Sequence, residues 1–245
     1  MKIVWLVFEY DRKKLSDAGR GQDMYHDNIE VFKYTTASIK TFLAHNNNLK
    51  DSINIFTDNK FLMVDLLKQY DVFYEGLSVY DIKDKIEDWK LHSYPWNPKA
   101  AFLKYISEFN DDIFFIDNDC ICKNNVDALI ESIKSEDKIY FWEKERKISE
   151  SREYWGWKAA AKNTGNSEEY YVYNDGIIVL GKRFIEQGYF DKSYNMMETI
   201  WKLEVFTATQ LATCFVAQQL GLEIGETKDY FDHHYGDKSK CLEFI

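Results

Sequence analysis

The chain has 245 residues, 45% hydrophobic and 17% aromatic, with 11 Gly and 2 Pro. It is long enough for a self-sufficient core and lacks the bias of fibrous or linker-like chains. Its 31 Lys+Arg against 41 Asp+Glu leave a formal charge of −10, which repels a phosphate backbone and argues against nucleic-acid wrapping.

No apolar run approaches the roughly 20 residues of a membrane span, and the N-terminal apolar run meets Glu9 too soon to serve as a leader. The four cysteines form no C-x-x-C pair, so buried, reduced thiols and a cytoplasmic location are expected. In chain order, Lys2 to Tyr10 reads as a strand covered on both faces. A polar stretch from Asp11 to Asp27 reads as a long functional loop. A helix is expected over Ile29 to Ala44, a strand over Ser52 to Asp58, a helix over Phe61 to Tyr70 and a strand over Asp71 to Tyr74. Pro98 opens a helix that runs to Phe109. Asp112 to Cys122 reads as a strand that ends in carboxylates, followed by a helix over Val126 to Lys134 and a strand over Lys138 to Trp142.

Glu143 to Tyr170 has no clean period and reads as a surface excursion, in which Trp155, Trp157, Tyr170 and Tyr171 are either acceptor platforms or partly buried packing. Tyr171 to Leu180 is a loop entering a buried strand, helices follow over Asp191 to Leu203 and Phe206 to Leu220, and Asp229 to Ile245 is a polar tail. The alternation predicts an α/β fold, a mostly parallel central sheet flanked by helices in a single domain spanning residues 1–245, with ligands at the carboxyl ends of the strands.

Asp117-x-Asp119 is the sharpest chemical feature, the lone D-x-D of the chain, placed directly after four apolar strand residues. Two carboxylates where a strand opens out suit a hard cation such as Mn²⁺ or Mg²⁺, which keeps positions for phosphate oxygens. With no cation between them the carboxylates should repel, so removal of Asp119 is expected to relieve strain. Far downstream, His233-His234-Tyr235-Gly236-Asp237-Lys238-Ser239-Lys240 combines an imidazole, a glycine and two lysines. It is a charged tail by itself, and the second half of a cation–diphosphate site when paired with the D-x-D. Its low apolar content predicts a segment that ligands must order.

The order of apolar strand, D-x-D, Asn-x-Gly before a strand and late His-x-x-Gly with lysines resembles GT-A-fold glycosyltransferases, nearest to the glycogenin, galactinol-synthase and bacterial galactosyltransferase type. The resemblance spans most of the chain in element order and is specific at three short places. It implies that Asp117, Asp119 and His233 hold Mn²⁺ or Mg²⁺. It further implies that Asp117, Asn118, Asn174, Gly236 and either Lys238 or Lys240, which flank the family's lysine position at Ser239, bind the donor. Asn174-Asp175-Gly176 resembles the segment lining the sugar pocket, and Gln210 the glutamine near the reacting carbon, making Asp175 and Gln210 the catalytic candidates. Thr209 stands where the family has an aspartate. Phe8, Tyr10 and Asp58 occupy positions resembling the base and ribose contacts, and Lys99 could play the basic, donor-binding role on the nucleotide sugar.

The implied activity is transfer of a sugar from a nucleotide-sugar donor, a UDP-sugar, to a carbohydrate, protein or small-molecule acceptor. Residues 1–142 would form the nucleotide-sugar half and 143–245 the acceptor half. Two other readings remain. A haloacid-dehalogenase-like phosphatase also places D-x-D after a strand, but near its N-terminus and with a later acidic motif that this chain lacks. A non-catalytic nucleotide-sugar-binding module is the other.

Overall fold

The structure is a computed structural model that describes residues 1–9, 28–86, 97–135, 138–203, 205 and 207–245. The stretch expected as a long loop, and with it Tyr10, lies outside the described residues. In chain order the elements are β1 (Lys2–Val7), α1 (Asn28–Asn46), β2 (Ile53–Thr57), α2 (Lys60–Gln69), β3 (Ser78–Asp81), α3 (Asn97–Ile106), β4 (Ile113–Ile116), β5 (Cys120–Cys122), α4 (Asp127–Ser135), β6 (Lys138–Phe141), β7 (Lys144–Lys147), α5 (Trp157–Thr164), β8 (Tyr171–Tyr173), β9 (Ile177–Leu180), α6 (Lys182–Glu186), α7 (Tyr189–Trp201), α8 (Ala208–Gln219), β10 (Glu223–Glu226) and β11 (Phe231–His233), followed by a 3₁₀ segment over Lys238–Phe244.

Seven strands form the central sheet in the order β10-β6-β9-β4-β1-β2-β3. β1 pairs in parallel with β2 and β4, β2 with β3, and β6 with β10, while β9 runs antiparallel to β4 and β6. Side chains along the strands explain why helices cover both faces. Val4, Leu6, Ile113, Phe115, Ile178 and Leu180 point into one core with α3, α5, α7 and α8. Ile3, Trp5, Val7, Phe114, Ile116, Ile177 and Val179 point into the other, with α1, α2 and α4. The run of apolar residues in β1 is therefore a strand buried on both faces, as parallel strands between helical layers are.

Three expectations are corrected. The third strand is not at 71–74: Asp71 takes a left-handed φ of 58°, the chain turns there, and the strand forms at Ser78–Asp81. The stretch after Glu143 is less irregular than its pattern suggests, because β7 pairs antiparallel with β8 and α5 buries Trp157. The C-terminal tail is anchored. β11 pairs antiparallel with β5, Phe231 is core, and Cys241 packs with Tyr34, Ala37 and Ile121, joined by Leu242 and Ile245. All four cysteines are free and buried, as expected. Among the described residues, no helix is long and apolar enough to cross a membrane.

Candidate functional site

The site forms where β1 and β4 end, beside the point at which the chain's strand order changes direction. β4 delivers Asp117 and, after a turn, Asp119 at the start of β5. The antiparallel β4–β9 register sets the Asn174–Gly176 loop against the same edge, and the Asp117 amide donates to the Gly176 carbonyl at 2.8 Å. β11 then lays His233 opposite Cys120, and His233 Nε2 comes to 3.0 Å from Asp119 Oδ1 across a separation of 114 residues.

Gly176 is required here by packing. A Cβ on it would stand 2.5 Å from His233 Cε1 and 2.7 Å from Nδ1, so the imidazole lies where any side chain would be. On its other side the ring meets Trp142 edge-on, at 5.2 Å between centroids. Asn174 shapes the same loop by accepting the Gly176 amide on Oδ1 at 2.9 Å.

Charge is closely balanced. Lys99, from the first turn of α3, donates to Asp117 Oδ2 at 2.9 Å and to the Asp175 carbonyl at 2.8 Å, with Asp175 Oδ1 at 3.3 Å. Burial works to lower its pKa, but the two carboxylates outweigh it and hold the ammonium above its usual range. Asp119 is the mirror case. Its side chain is 3% exposed, which alone would raise its pKa, yet Lys238 at 2.7 Å from Oδ2 and His233 on Oδ1 hold the carboxyl well below the ordinary range. Asp117 is not balanced in the same way: burial, with Asp119 and Asp175 adding to it, outweighs Lys99 and holds its carboxyl above the ordinary range, so the expected repulsion between the two carboxylates persists even though each has a cationic partner.

Asp119, Cys120 and His233 offer donor atoms within 4.8 Å of one another. Burial, and after it Asp119 and Asp117, push the Cys120 thiol well up, and it donates instead to the Gly176 carbonyl. With the thiol engaged by that carbonyl, the donors left are carboxylate and imidazole, which suit Mn²⁺ or Mg²⁺. His233 Nδ1 and Asp175 Oδ2 are buried without hydrogen-bond partners. Asp119 and His233 are therefore the pair that could hold a hard divalent ion, while Asp117 lies outside that cluster with its Oδ2 on Lys99.

No family model matches the chain, and no curated protein matches it. Among solved structures, a galactosyltransferase, LgtC, in complex with donor and acceptor sugar analogues, superimposes with a TM-score of 0.54 at 11% identity, over 93% of this chain and 74% of that one. Mouse xyloside xylosyltransferase 1 in its apo form gives 0.54 at 9% identity, over 92% and 84%. This chain has the GT-A fold.

Within that GT-A frame the remaining candidates divide. Asn118 is buried between the two carboxylates, and Asn174 and Gln210 are buried nearby at 8% and 7% exposure. Lys238 faces Asp119, whereas Lys240 is exposed, which separates the two lysines that the sequence leaves equivalent. Asp58 is buried and accepts the Glu9 amide on Oδ1 at 3.0 Å, pinning the end of β1 to the end of β2. Phe8 packs against the core there. Gly236 has open space where a Cβ would be. Of the aromatic candidates, Trp157 is 3% exposed and belongs to the core, while Trp155 packs beside it with Arg146 and Arg152 against its ring.

One residue escaped the sequence reading. Glu145 lies on exposed β7, but its carboxylate accepts from Asn174 Nδ2 at 3.3 Å. Burial pushes that carboxyl up, while Asn174 and the adjacent Gln210 amide pull it down. Gln210 Nε2 itself is buried without a well-formed hydrogen bond. The glutamate stands in a Glu-Lys-Glu-Arg-Lys run whose composition reads as a solvated strand, so no local signal distinguished it.

Proposed function

We propose that this protein transfers a sugar from a UDP-sugar to an acceptor hydroxyl, with Mn²⁺ or Mg²⁺ held by Asp117, Asp119 and His233. The observation that carries the reading is the 3.0 Å approach of His233 to Asp119, at the carboxyl edge of a GT-A sheet. In such a transfer the bond from the anomeric carbon to the diphosphate breaks, the acceptor oxygen bonds to that carbon, and the acceptor proton leaves. The cation supplies charge neutralisation at the departing diphosphate. Lys238 is positioned to add a second positive charge there, and Lys99 holds Asp117 and the Asp175 loop in place. Asp175 and Gln210, each with an unpartnered buried polar atom, are the groups proposed to face the transferred sugar. Phe8, Tyr10 and Asp58 would hold the nucleoside, and Asn118, Asn174 and Gly236 would complete the donor pocket.

In this reading residues 1–142 carry the nucleotide and 143–245 the acceptor, although β9 and β10 complete the central sheet from the second half. The free, buried cysteines support a place in the reducing cytoplasm. The phosphatase alternative is not favoured, because the similar structures are glycosyltransferases. The test is release of UDP from a panel of UDP-sugars with Mn²⁺, with and without simple sugar acceptors. UDP release that disappears with EDTA and in Asp119→Ala supports the proposal. Metal-independent release, or phosphate release from a phosphomonoester instead, overturns it.

A further inference from the structure

Glu145 carries a carboxylate that the function proposed above leaves unused. β7 and β8 pair Lys144 with Tyr173, Arg146 with Val172 and Lys147 with Tyr171, so two steps along β7 oppose one along β8 and Glu145 is the extra residue of a bulge. Bulges re-aim a side chain, and they gather beside active sites. The residues on either side of this one stay with half-buried rings: Lys144 Nζ lies 3.8 Å from the Tyr171 centroid, and Arg146 Cζ 4.8 Å from that of Trp155. Glu145 turns instead to Asn174, whose Nδ2 donates to its Oε1 at 3.3 Å. The other end of that amide, Oδ1, accepts the Gly176 N–H at 2.9 Å, so the orientation of Asn174 is fixed from both sides. Gln210, in the first turn of α8, stands beside the same carboxylate. Its Nε2 is buried without a well-formed hydrogen bond. Burial disfavours the charged form of Glu145, and the Gln210 amide is the largest influence working the other way, ahead of Asn174.

We propose that Glu145 is a positioning residue that turns the amide nitrogens of Asn174 and Gln210 toward itself, and so leaves the Gln210 carbonyl oxygen to face the transferred sugar. The role toward the sugar rests on the transfer proposed above, while the amide orientation stands without it. A carboxylate only accepts hydrogen bonds, whereas an amide donates at one end and accepts at the other. Two amides share one carboxylate only when each points its NH₂ at it; either amide turned around would set a carbonyl oxygen against an anion. Asn174 has this orientation, with its oxygen held by Gly176. For Gln210 the same requirement directs Oε1 away from Glu145. An oxygen so directed accepts from a sugar hydroxyl and favours positive charge on the sugar as its bond to the diphosphate breaks, whereas an NH₂ group in that place does neither. Glu145 thus selects one of two amide orientations that differ little in shape and are opposite in polarity.

The experiment has a spectroscopic arm and a kinetic arm. The first is a heteronuclear NMR spectrum of the side-chain amides in wild type, Glu145→Gln and Glu150→Gln, with the Asn174 and Gln210 signals assigned by their loss in Asn174→Ala and Gln210→Ala. Glu150 is an exposed carboxylate nearby in sequence, so its removal controls for a general loss of negative charge. In wild type one amide proton of each residue should lie downfield of those of exposed amides, as bonding to a carboxylate requires. Glu145→Gln should move the Gln210 signal back, because the new amide offers one accepting oxygen and brings donors of its own; Glu150→Gln should move neither signal. An unmoved Gln210 signal in Glu145→Gln overturns the inference. The kinetic arm is UDP release, with Mn²⁺, from whichever UDP-sugar wild type hydrolyses fastest. Glu145→Gln should lower kcat about tenfold or more with KM within roughly twofold of wild type. The double variant with Gln210→Ala should match Gln210→Ala alone within roughly twofold, since Glu145 acts through that side chain. Losses that multiply in the double variant overturn the inference, as does a change confined to KM. Should Glu145→Gln lose its cooperative thermal transition, Glu145→Met replaces it with the same expected outcome. The two proposals fail separately. Mn²⁺-dependent UDP release with an unmoved Gln210 signal defeats only this inference. A Gln210 signal that moves in a protein releasing no UDP supports the amide orientation and defeats the transfer reading.

Discussion

At the scale of single residues, Gly176 links two distant motifs through one steric fact. The imidazole of His233 fills the place of its missing side chain, so Gly176→Ala must move either the loop or the ring. The ring is held by Trp142 and by Asp119, and its displacement lengthens the 3.0 Å contact. Mn²⁺ affinity in Gly176→Ala should fall about tenfold or more, the range found when groups that orient a metal ligand are disturbed; unchanged affinity in a titration would show the ring has room to shift. Asp119 offers a second test, opposite in sign to what the bare D-x-D suggests. Asp119→Asn leaves Lys238 and His233 without their anion, at a cost of about 1.5–3 kcal/mol for charged hydrogen bonds lost in a buried setting. The native carboxyl is held well below its unfolded value of about 3.9. Its contribution is therefore fully present above that value and is lost as pH falls through the depressed native one. Urea unfolding should show a gap between wild type and variant that is level from about pH 5 upward and narrows below about pH 4. A variant as stable as wild type at neutral pH would contradict the ion-pair account.

At the scale of elements, what could be read from the sequence depended on burial. β1, β4 and β9 stood out because both faces of each are covered, which leaves uninterrupted apolar runs. The segment 71–74 has strand-like residues, yet Val72 is buried while Phe73 is 41% exposed, because the chain turns at Asp71. β10 went unread because Glu-Ile-Gly-Glu carries almost no apolar signal at the sheet edge, where Gly225 lies against the Tyr140 ring. β11 was hidden in polar sequence because a single side chain, Phe231, anchors it. Phe231 is 1% exposed and meets Phe114 edge-on at 5.7 Å between centroids. Phe231→Ala should cost about 3–5 kcal/mol, the usual range for a buried phenylalanine. Because β11 also carries His233, the same change should weaken Mn²⁺ binding under conditions where the variant is still folded. Loss of stability with full Mn²⁺ affinity would mean that β5 alone keeps His233 in register.

At the scale of the whole molecule, the candidate site joins α3, the ends of β4 and β9, β11 and the terminal 3₁₀ segment, and its contact between His233 and Asp119 bridges 114 residues. Residue types and order were legible because the carboxylates, the Asn-x-Gly and the His-x-x-Gly each keep a local spacing. The partners were not legible. That Lys99 takes Asp117 while Lys238 takes Asp119, and that Glu145 reaches Asn174, depends on strand pairings that no local pattern encodes. The cysteines report on the same assembly, because they sit in different parts of it. Cys214 is in the middle of buried α8, whereas Cys241 lies in the terminal segment four residues from the end of the chain. Burial raises both thiols, Cys241 to about 12, so neither should react in the closed protein and labelling must report opening. The terminal segment holds to the rest through a small cluster of Tyr34, Ala37, Ile121 and Cys241, which costs less to open than the sheet. Timed alkylation read by mass spectrometry should therefore modify Cys241 well before Cys214. UDP with Mn²⁺ should slow Cys241 selectively, since at about 100 times the dissociation constant a ligand that requires the closed segment stabilises it by about 2.7 kcal/mol, roughly a hundredfold in labelling rate. Equal labelling of the two thiols would mean that the segment opens only when the whole fold does, and that its polar sequence conceals an integral part of the core.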